Sequence, residues 1–468
     1  MIQFLINGKP LNLPVEFKVL LERFNPLLDF EGIRGSRIVN FTVPKTPENN
    51  AIFDFYGNRF VPYKFREYRA ELAFKGRVLD RGYVPIVGLS DSGFELVYTE
   101  NLAGMFGDFD SVSLRQLPFN AFPATAPTYA SAFPEFSPFC WPTVQNPLFY
   151  GRDAVGYAGE VNRYSGGEYL ESPFVPFFFV KYIFSELTRI TGVSFTGDFF
   201  TDPDTSALIF YNTRCLDGLS EIKPGLHLPD MTIRELIKEL RKLFNLAIWP
   251  NPWKKEIKME FSRDYLSAPT TVDWSHKFRK LGNKTPILNN RLKLDWTVDS
   301  SDGEVKDIPD SMKGYTAEES AGSELFEIST QFSTLVMDSG KPKASQEGIT
   351  TDDGFKSNTF SPRLLFWNDL VSGVPLASSS ALSGHSLNWN AAGGLKDVYW
   401  SEYEKFRKNT HFHQEIAHLS AYDMSLLDTH RRSGELLKVH VQGYNYLVGD
   451  QKITLPNKQG VLLDLWKI

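Results

Sequence analysis

The chain has 468 residues and a formal net charge of −6, and such a length corresponds to roughly two to four domains. The acidic balance argues against a broad polybasic surface for nucleic acid and leaves room only for local basic patches. Two cysteines, Cys140 and Cys215, are too few for a disulfide framework. The N-terminus lacks the features of a signal peptide, and no apolar run is long enough to cross a membrane, so we expect a soluble protein.

Residues 1–118 are predicted to form a small β-barrel-like or sandwich-like domain with one short helix. Alternating apolar and polar residues indicate strands at 2–6, 37–43, 68–74, 77–87 and 93–98. Asn7-Gly8 is a hairpin turn signal, and a return strand is expected at 11–13. Thr46 followed by Pro47 predicts the start of the helix. The last three strands are separated by short turns, which is typical of a meander.

Residues 119–179 combine prolines with aromatic residues, as in Phe122-Pro123, Phe133-Pro134 and Phe136. Proline fixes φ and removes a backbone donor, so continuous central strands and long helices are not expected here. The aromatic content argues against a disordered linker. We therefore predict an extended connector that lies on other surfaces of the protein or across a subunit boundary.

Residues 180–268 are predicted to form a small α+β domain that contains two helix–strand units. The first helix begins at Val180, ends at Gly192 and leads into a strand at 193–195. The second unit contains a helix after Pro229, a strand at 246–249, a turn at 250–252 and a strand at 256–261. The second unit has the composition of a packing and assembly module, without residues typical of catalysis.

The helix of the second unit has the clearest local signals in the chain. Thr232 and Glu235 have the spacing of a capping box, and Asn245 is placed to end the helix in the left-handed conformation. Apolar residues recur with helical period and predict one buried face, formed by Ile233, Leu236, Ile237, Leu240, Leu243 and Phe244. Charged residues occupy the opposite face, namely Arg234, Lys238, Glu239, Arg241 and Lys242.

Residues 269–395 are predicted to form a β-rich domain with long exposed loops. The clearest strands are at 291–298 and 325–335, with a short buried strand at 363–367. Segments rich in Ser, Gly, Asp and Lys indicate loops at 338–360 and 371–394. Residues 396–468 are predicted to contain a helix at 396–407 and then a terminal β domain, with strands at 411–419, 434–448, 452–455 and 461–468. The chain is thus predicted to be multidomain and β-rich with α+β parts.

Three histidines near the C-terminus are the candidate metal ligands. On a strand, His411 and His413 share one face and His418 points to the other, so the three do not converge. A zinc site needs at least three protein ligands, and two imidazoles alone do not complete one. We predict no metal site, with His411 and His413 as the residues to test.

The remaining chemistry-bearing residues lack functional spacing. Carboxylates occur in three close pairs without the frame of a calcium loop, at Asp108 and Asp110, Asp202 and Asp204, and Asp352 and Asp353. Cys215 precedes His227 by twelve residues, and a structural cysteine is favoured over a catalytic dyad. The sequence has no nucleophile elbow, no phosphate-binding loop and no H-E-x-x-H motif. We predict no catalytic residue and no cofactor.

Three stretches of sequence carry a resemblance to a known family. The first covers residues 176–184, which begin Pro176-Phe177-Phe178-Phe179, together with 191–199, which begin Thr191-Gly192-Val193-Ser194 and end at Phe199. The second is Met231-Thr232-Ile233-Arg234-Glu235-Leu236 running into Leu243-Phe244-Asn245-Leu246, and the third is 399–407 with the closing strands up to Leu465-Trp466-Lys467-Ile468. In these stretches the chain resembles a tail protein found in phages and prophages of Bacteroidetes-type bacteria. The family is similar to baseplate or tail-tip hub proteins.

The resemblance implies a non-enzymatic virion protein, assembled in the host cytoplasm, whose copies form a ring, usually a trimer, that closes the tail tube. The implied neighbours are the tail tube or distal tail protein, the tape-measure protein, and fibre or spike proteins. DNA would pass through the lumen without specific binding, and no stable membrane insertion is implied. Three alternatives stay open: a hexameric distal-tail ring protein, a carbohydrate-binding module that uses exposed Trp and Tyr, and a cell-wall hydrolase.

Overall fold

The computed structural model of the protein describes residues 1–62, 66–100, 102–129, 137–152, 154–270, 272–279, 281–282, 284–320, 322–350, 360–433, 438–457 and 460–468. In this part of the chain, one large, mainly antiparallel sheet and several small sheets are accompanied by short helices. The predicted β-rich architecture with α+β parts is confirmed.

The large sheet has 13 strands among the described residues. From one edge to the other, eleven of them run in the order Lys9–Pro10, Ile2–Ile6, Glu67–Phe74, Arg77–Ser90, Gly93–Thr99, Arg37–Val43, Val19–Arg23, Tyr444–Leu455, Val461–Lys467, His411–Ala417 and Thr285–Pro286. Lys438–Val441 pairs with Tyr444–Leu455 and carries Val272–Asp273 on its other side. The antiparallel pairing of Val19–Arg23 with Tyr444–Leu455 joins the two ends of the chain in one sheet. The division of the chain into five segments stays a prediction.

The N-terminal local signals agree with the structure except at one position. The meander of Glu67–Phe74, Arg77–Ser90 and Gly93–Thr99 is confirmed. Thr46 accepts a hydrogen bond from the backbone of Asn49 and caps the helix Pro47–Ile52. The return strand expected at 11–13 is wrong: pairing resumes at Lys9–Pro10, directly after a two-residue turn with positive φ at both residues.

The small sheets hold the middle of the chain together. The three-stranded ones are Ser194–Thr196 with Glu256–Phe261 and Leu246–Asn251, Leu208–Tyr211 with Arg363–Val371 and Val374–Ser378, and Tyr315–Thr316 with Arg291–Trp296 and Leu325–Thr330. A four-stranded one contains Glu160–Val161, Val144–Gln145, Lys341–Lys343 and Val336–Asp338. Two-residue strands form the pairs Tyr164–Ser165 with Glu168–Tyr169, Phe177–Phe178 with Phe139–Cys140, and Glu221–Ile222 with Phe122–Pro123.

The helices are the remaining regular elements of the described chain. The α-helices are Pro47–Ile52, Val180–Thr191, Asp198–Thr201, Pro203–Ser206, Ile233–Phe244, Ser262–Ser267, Ser401–Asn409 and Ala421–Ser433. A π-helical turn, Lys396–Trp400, precedes Ser401–Asn409. The 3₁₀ turns are Ala103–Met105, Gly107–Phe109, Leu114–Gln116, Pro224–His227, Ser275–Lys277, Gly303–Asp307 and Asp310–Met312.

The predicted connector has only two-residue strands within its described residues and packs on other elements. Its strand Phe122–Pro123 pairs with Glu221–Ile222, and the Phe122 ring lies 5.4 Å from that of Phe139. The Phe133-Pro134 and Phe136 part of the prediction lies outside the described residues. The extended character inferred from the prolines therefore agrees with the described part.

The central helix (Ile233–Phe244) begins and ends as its sequence predicts. The backbone N–H of Thr232 donates to the Glu235 carboxylate at 2.7 Å, and the Glu235 N–H donates to Thr232 Oγ1, which completes the capping box. Asn245 ends the helix with φ 50° in the left-handed region. The apolar face is fully buried. The two predicted helix–strand units meet in one sheet, because Ser194–Thr196 pairs in parallel with Glu256–Phe261.

Most of the charged face of the central helix is covered, which corrects the one-sided helix that its pattern predicted. Glu239, Arg241 and Lys242 are buried. The Arg241 guanidinium donates to the backbone oxygens of Pro26 and Gly32. The Glu239 carboxylate accepts a hydrogen bond from the backbone N–H of Gln331 at 2.7 Å. The partners come from segments far away in sequence, so a local apolar pattern could not reveal that this face is covered.

Two further buried ion networks join distant segments. Arg23 is fully buried and pairs with Asp80 at 3.3 Å, while Arg431 pairs with Glu100 at 2.8 Å and with Asp428 at 3.0 Å. Because a charge without a partner is costly in a protein interior, these pairs fix the helix Ala421–Ser433 against the N-terminal strands.

A second network centres on Arg363. Its guanidinium pairs with Asp299 at 3.2 Å and Asp302 at 2.5 Å, and it lies 4.5 Å from the centroid of the Tyr211 ring. All of these side chains are buried. The network therefore fixes the loop around Asp299 against the strands Leu208–Tyr211 and Arg363–Val371.

Truncation of the central helix should destabilise the whole protein. Leu240 is fully buried, so Leu240→Ala should lower the free energy of unfolding by about 2–5 kcal/mol, and Leu240→Asp should prevent folding because it buries a charge. The control is Lys18→Ala at an exposed position, for which a change within about 0.5 kcal/mol is expected. Urea unfolding measures both, and equal stabilities for Leu240→Ala and the control would contradict the packing described.

Candidate functional site

The two candidate metal ligands lie side by side on the strand His411–Ala417. The ring centroids of His411 and His413 are 5.0 Å apart, and both rings contact Tyr446. His418 lies beyond the end of the strand and is exposed. Strand alternation thus correctly placed His411 with His413 and apart from His418.

The surroundings of the histidine pair are unfavourable to a cation. Burial lowers the pKa of His411 to about 4, and the positive charges of Lys284, His413 and Lys467 act in the same direction. Among the residues that the structure describes, no group of three or more His, Cys, Asp or Glu could hold a metal ion. A pair of imidazoles near two lysines does not form a zinc site of the usual kind. That the protein needs no metal stays a prediction.

Cys215 and His227 have separate partners. The Cys215 thiol donates to the backbone oxygen of Ile349 at 3.5 Å, and burial raises its pKa to about 12. The His227 ring contacts Asn212 Oδ1 through Nδ1 at 3.1 Å. A thiol that stays protonated at neutral pH is a poor nucleophile, so this geometry favours a structural role for Cys215.

The carboxylate pairs have structural contacts. Asp110 pairs with Arg234 of the central helix, and Asp108 is exposed. Asp202 caps the helix Pro203–Ser206 by accepting from the backbone N–H groups of Asp204 and Thr205. Asp352 and Asp353 lie outside the described residues. The lack of a calcium frame stays a prediction.

A cluster that sequence spacing did not indicate contains Asp204, Ser383 and His385. The Ser383 hydroxyl donates to Asp204 Oδ2 at 2.7 Å, and the Nδ1 atom of His385 lies 2.6 Å from the same oxygen. A hydrolytic triad needs the serine bonded to the imidazole and the imidazole bonded to the acid. Here serine and histidine share one carboxylate oxygen, so the arrangement fixes the 381–386 loop to the helix Pro203–Ser206. Asp204 and Ser383 are separated by 179 positions in the sequence, so no local signal indicates this contact.

A small cavity of about 220 Å³ lies beside the start of the central helix. Its walls include the apolar side chains of Ile33, Leu102, Met105 and Phe106, and four charged residues complete the lining: Glu31, Arg234, Glu235 and Lys238. Arg234 is paired with Asp110, Glu235 belongs to the capping box of the central helix, and Glu31 is paired with Lys242. These contacts favour a structural role for the charged residues of the cavity.

Tryptophan exposure bears on sugar binding. All nine tryptophans lie in the described part of the chain, and none belongs to the exposed class. Six are buried: Trp249, Trp274, Trp296, Trp367, Trp389 and Trp400. Sugar-binding platforms need exposed aromatic faces, so this distribution disfavours the tryptophan-based carbohydrate module.

Among the residues described, none of the helices combines the length and the apolar character needed to cross a bilayer.

Comparison with solved structures finds distant similarity to tail proteins. The 43 kDa tail protein of prophage MuSo2 from Shewanella oneidensis aligns over 100% of this chain and 97% of its own, with 8% identity and a TM-score of 0.40. The tail protein from Neisseria meningitidis MC58 aligns over 100% and 95%, with 10% identity and a TM-score of 0.36. Prophage tail protein gp18 from Listeria monocytogenes EGD-e aligns over 99% and 94%, with 11% identity and a TM-score of 0.38.

TM-scores of 0.40 and below do not establish a common fold, and no residue role is transferred from these proteins. No protein-family model matches the chain, and no curated protein matches it by sequence.

Protonation of His227 should make stability pH-dependent. Burial, together with the charge of Arg214, lowers the pKa of His227 from 6.5 to about 3. Between pH 6.5 and about 3, His227 of the unfolded chain binds a proton that His227 of the folded chain does not bind. The free energy of unfolding is therefore unaffected by protonation of His227 above pH 6.5. It falls by about 1.4 kcal/mol per pH unit as the pH decreases from 6.5 toward 3.

Urea unfolding at pH 7, 6 and 5 of wild-type protein and His227→Gln measures this effect. Below pH 6.5 the free energy of unfolding of the wild type should fall more steeply than that of His227→Gln, by about 1.4 kcal/mol per unit. His418→Gln, at an exposed position, serves as the control and should keep the wild-type slope. Parallel slopes for wild type and His227→Gln would show that His227 titrates normally in the fold.

Proposed function

We propose that the protein is a structural component of a phage tail, and in particular a subunit of the hub at the tail tip. One observation carries the proposal: core residues from each of the three stretches that resemble the family pack against one another. The Phe199 and Phe244 rings are 5.6 Å apart, Asn245 Nδ2 donates to the Tyr399 backbone oxygen at 2.9 Å, and Trp400 Nε1 donates to the Leu243 oxygen. Because core residues determine a fold, the resemblance concerns the architecture of the chain.

A tail hub acts through contacts between copies, and one surface suits such contacts. The apolar end patch (Phe55, Phe60, Val61, Val87 and Leu89) is exposed. Phe53, next to the Phe55–Val61 loop, packs on the Phe94 ring, and Leu89 is paired with Phe94 across the strands, so both parts of the patch adjoin Phe94. Exposed apolar patches of this kind are typical of protein–protein interfaces.

The proposed ring closes by contacts between copies of the chain, with three copies per ring. A cyclic ring needs two different complementary surfaces on each copy, and the apolar end patch would supply one of them. The tail tube or distal tail protein, the tape-measure protein and the fibre or spike proteins are the proposed neighbours. The hexameric distal-tail ring remains the alternative that requires the same kind of contact.

Mass in solution tests self-association. The chain has a mass of 53.2 kDa, so a closed trimer should appear at about 160 kDa and a hexamer at about 320 kDa by mass photometry. Phe60→Asp should shift the distribution to the monomer, because it places a charge in the apolar end patch. The matched control is Val155→Asp, which changes an exposed apolar residue outside the patch and should leave the distribution unchanged.

A wild-type protein that stays monomeric at micromolar concentration, or equal loss of assembly in both variants, would contradict the proposed ring contact. Antibody labelling of particles would test the tail assignment separately: label at the tail tip supports the hub, and label on the capsid overturns it. Release of fragments from peptidoglycan by the purified chain would favour the cell-wall hydrolase instead.

A further inference from the structure

A cleft with a basic lining lies where the N-terminal strands, the turn after the strand Leu246–Asn251 and the helix Ala421–Ser433 meet. Its volume is about 520 Å³. The walls come from the hairpin between Glu67–Phe74 and Arg77–Ser90, from the turn after Leu246–Asn251, and from the helix Ala421–Ser433. The cations on its lining are Arg77, Arg81 and Lys254, and Trp253 lies beside them. These four residues define the basic cleft.

Aromatic rings contact the guanidinium groups of Arg77 and Arg81 in the basic cleft and that of Arg69 beside it. The guanidinium carbons of Arg69 and Arg81 lie 5.4 and 6.0 Å from the centroid of the Trp253 ring. Arg77 lies 5.0 Å from the centroid of the Tyr422 ring. Cation–π stacking orders a guanidinium while its N–H donors stay available at the edge. The cleft therefore presents oriented donors.

Few carboxylates neutralise these cations. Arg81 pairs with Glu71 at 3.0 Å. Arg77, Arg69 and Lys254 have no carboxylate oxygen within 4.0 Å among the described residues. Two exposed cations, Arg77 and Lys254, thus face the cleft without an acidic partner.

The carboxylate that lines the cleft is already engaged. Asp428 is buried and lies 3.8 Å from Arg23 and 3.0 Å from Arg431. Because its charge is matched by these arginines, it does not offset Arg77 or Lys254. In a chain whose net charge is −6, this is a local concentration of positive charge that the overall composition does not reveal.

We propose that the basic cleft binds a ligand with several phosphate groups, either the phosphodiester chain of a single-stranded nucleic acid or a small polyphosphate. Guanidinium forks match pairs of phosphoryl oxygens, and a lysine adds a mobile point charge. A volume of about 520 Å³ exceeds the space of one phosphate and falls in the range of ligand pockets. The site adds a binding activity to the proposed structural role and does not depend on it.

Fluorescence anisotropy with a labelled 20-residue oligothymidylate tests the proposal, with tripolyphosphate as an unlabelled competitor. The variant is Arg77→Ala/Lys254→Ala. The matched control is Lys18→Ala/Lys223→Ala, which removes two exposed lysines outside the lining of the cleft. Thermal unfolding midpoints of all three proteins establish that each is folded.

We expect the oligonucleotide to bind wild type and control alike, and the cleft variant about tenfold or more weakly at 0.1 M salt. Each lost phosphate contact on a single strand reduces the slope of log K against log salt by about 0.7, so the double variant should lose about 1.4 of the slope. If the oligonucleotide does not bind, binding of tripolyphosphate measured directly by isothermal titration calorimetry, and lost in the cleft variant, supports the site and identifies a small polyphosphate as its ligand. Binding of neither probe, or equal binding by wild type and cleft variant, overturns the proposal.

Discussion

Burial of the central helix on both its apolar and its charged side is the constraint on which the remaining structure depends. A helix with one apolar face can lie on a surface, but Glu239, Arg241 and Lys242 are also enclosed. An enclosed charge must find partners inside the protein. The helix therefore determines where the segment after Val19–Arg23 and the segment after Leu325–Thr330 must lie.

Arg241 illustrates how this constraint acts. Burial lowers its pKa to about 10, so it remains charged at neutral pH, and it lies over the Phe30 ring while donating to backbone oxygens. Lys242 extends the same connection through Glu31 at 3.2 Å. The loop that carries Phe30 and Glu31 follows the strand Val19–Arg23, which pairs with the C-terminal part of the large sheet. Both ends of the chain are thus connected to the central helix. The network of Arg23 and Arg431 adds a second connection, between the N-terminal strands and the helix Ala421–Ser433.

A chain connected in this way presents fixed surfaces, as a structural subunit requires. The apolar end patch and the basic cleft lie on different parts of the N-terminal strands, one beside Phe94 and the other beside the hairpin at Gly76. The proposed self-association through the apolar end patch and the proposed phosphate binding in the basic cleft are therefore separable by substitution. The buried thiols, the His227 ring and the Arg363 network belong to the interior and stabilise it.

Local signals in the sequence predicted local structure well. The Thr232 and Glu235 capping box, the left-handed Gly192 and Asn245, and the Asn7-Gly8 turn all depend on residues within a few positions of each other. The same holds for His411 and His413, which alternation placed on one face. Elements whose structure depends on contacts with distant segments of the chain were not predicted.

The missed elements show what distant contacts hide. The strand Val19–Arg23 was not predicted because Arg23 is fully buried at its end, and its partners Asp80 and Asp428 are far away in sequence. The helix Ala421–Ser433 was missed for a similar reason, since it buries Asp428 together with Met424 and Leu427. The basic cleft was likewise invisible, because Arg77 and Lys254 come together only in the fold.

Native-state hydrogen exchange measured by mass spectrometry tests the central role of the helix most directly. If the helix is held on both sides, the amides of Ile233–Phe244 should exchange only through global opening, with a free energy equal to that of urea unfolding. Exchange of these amides through an opening several kcal/mol easier than global unfolding would contradict the account. It would show that the helix is a peripheral element that can open without the two ends of the chain.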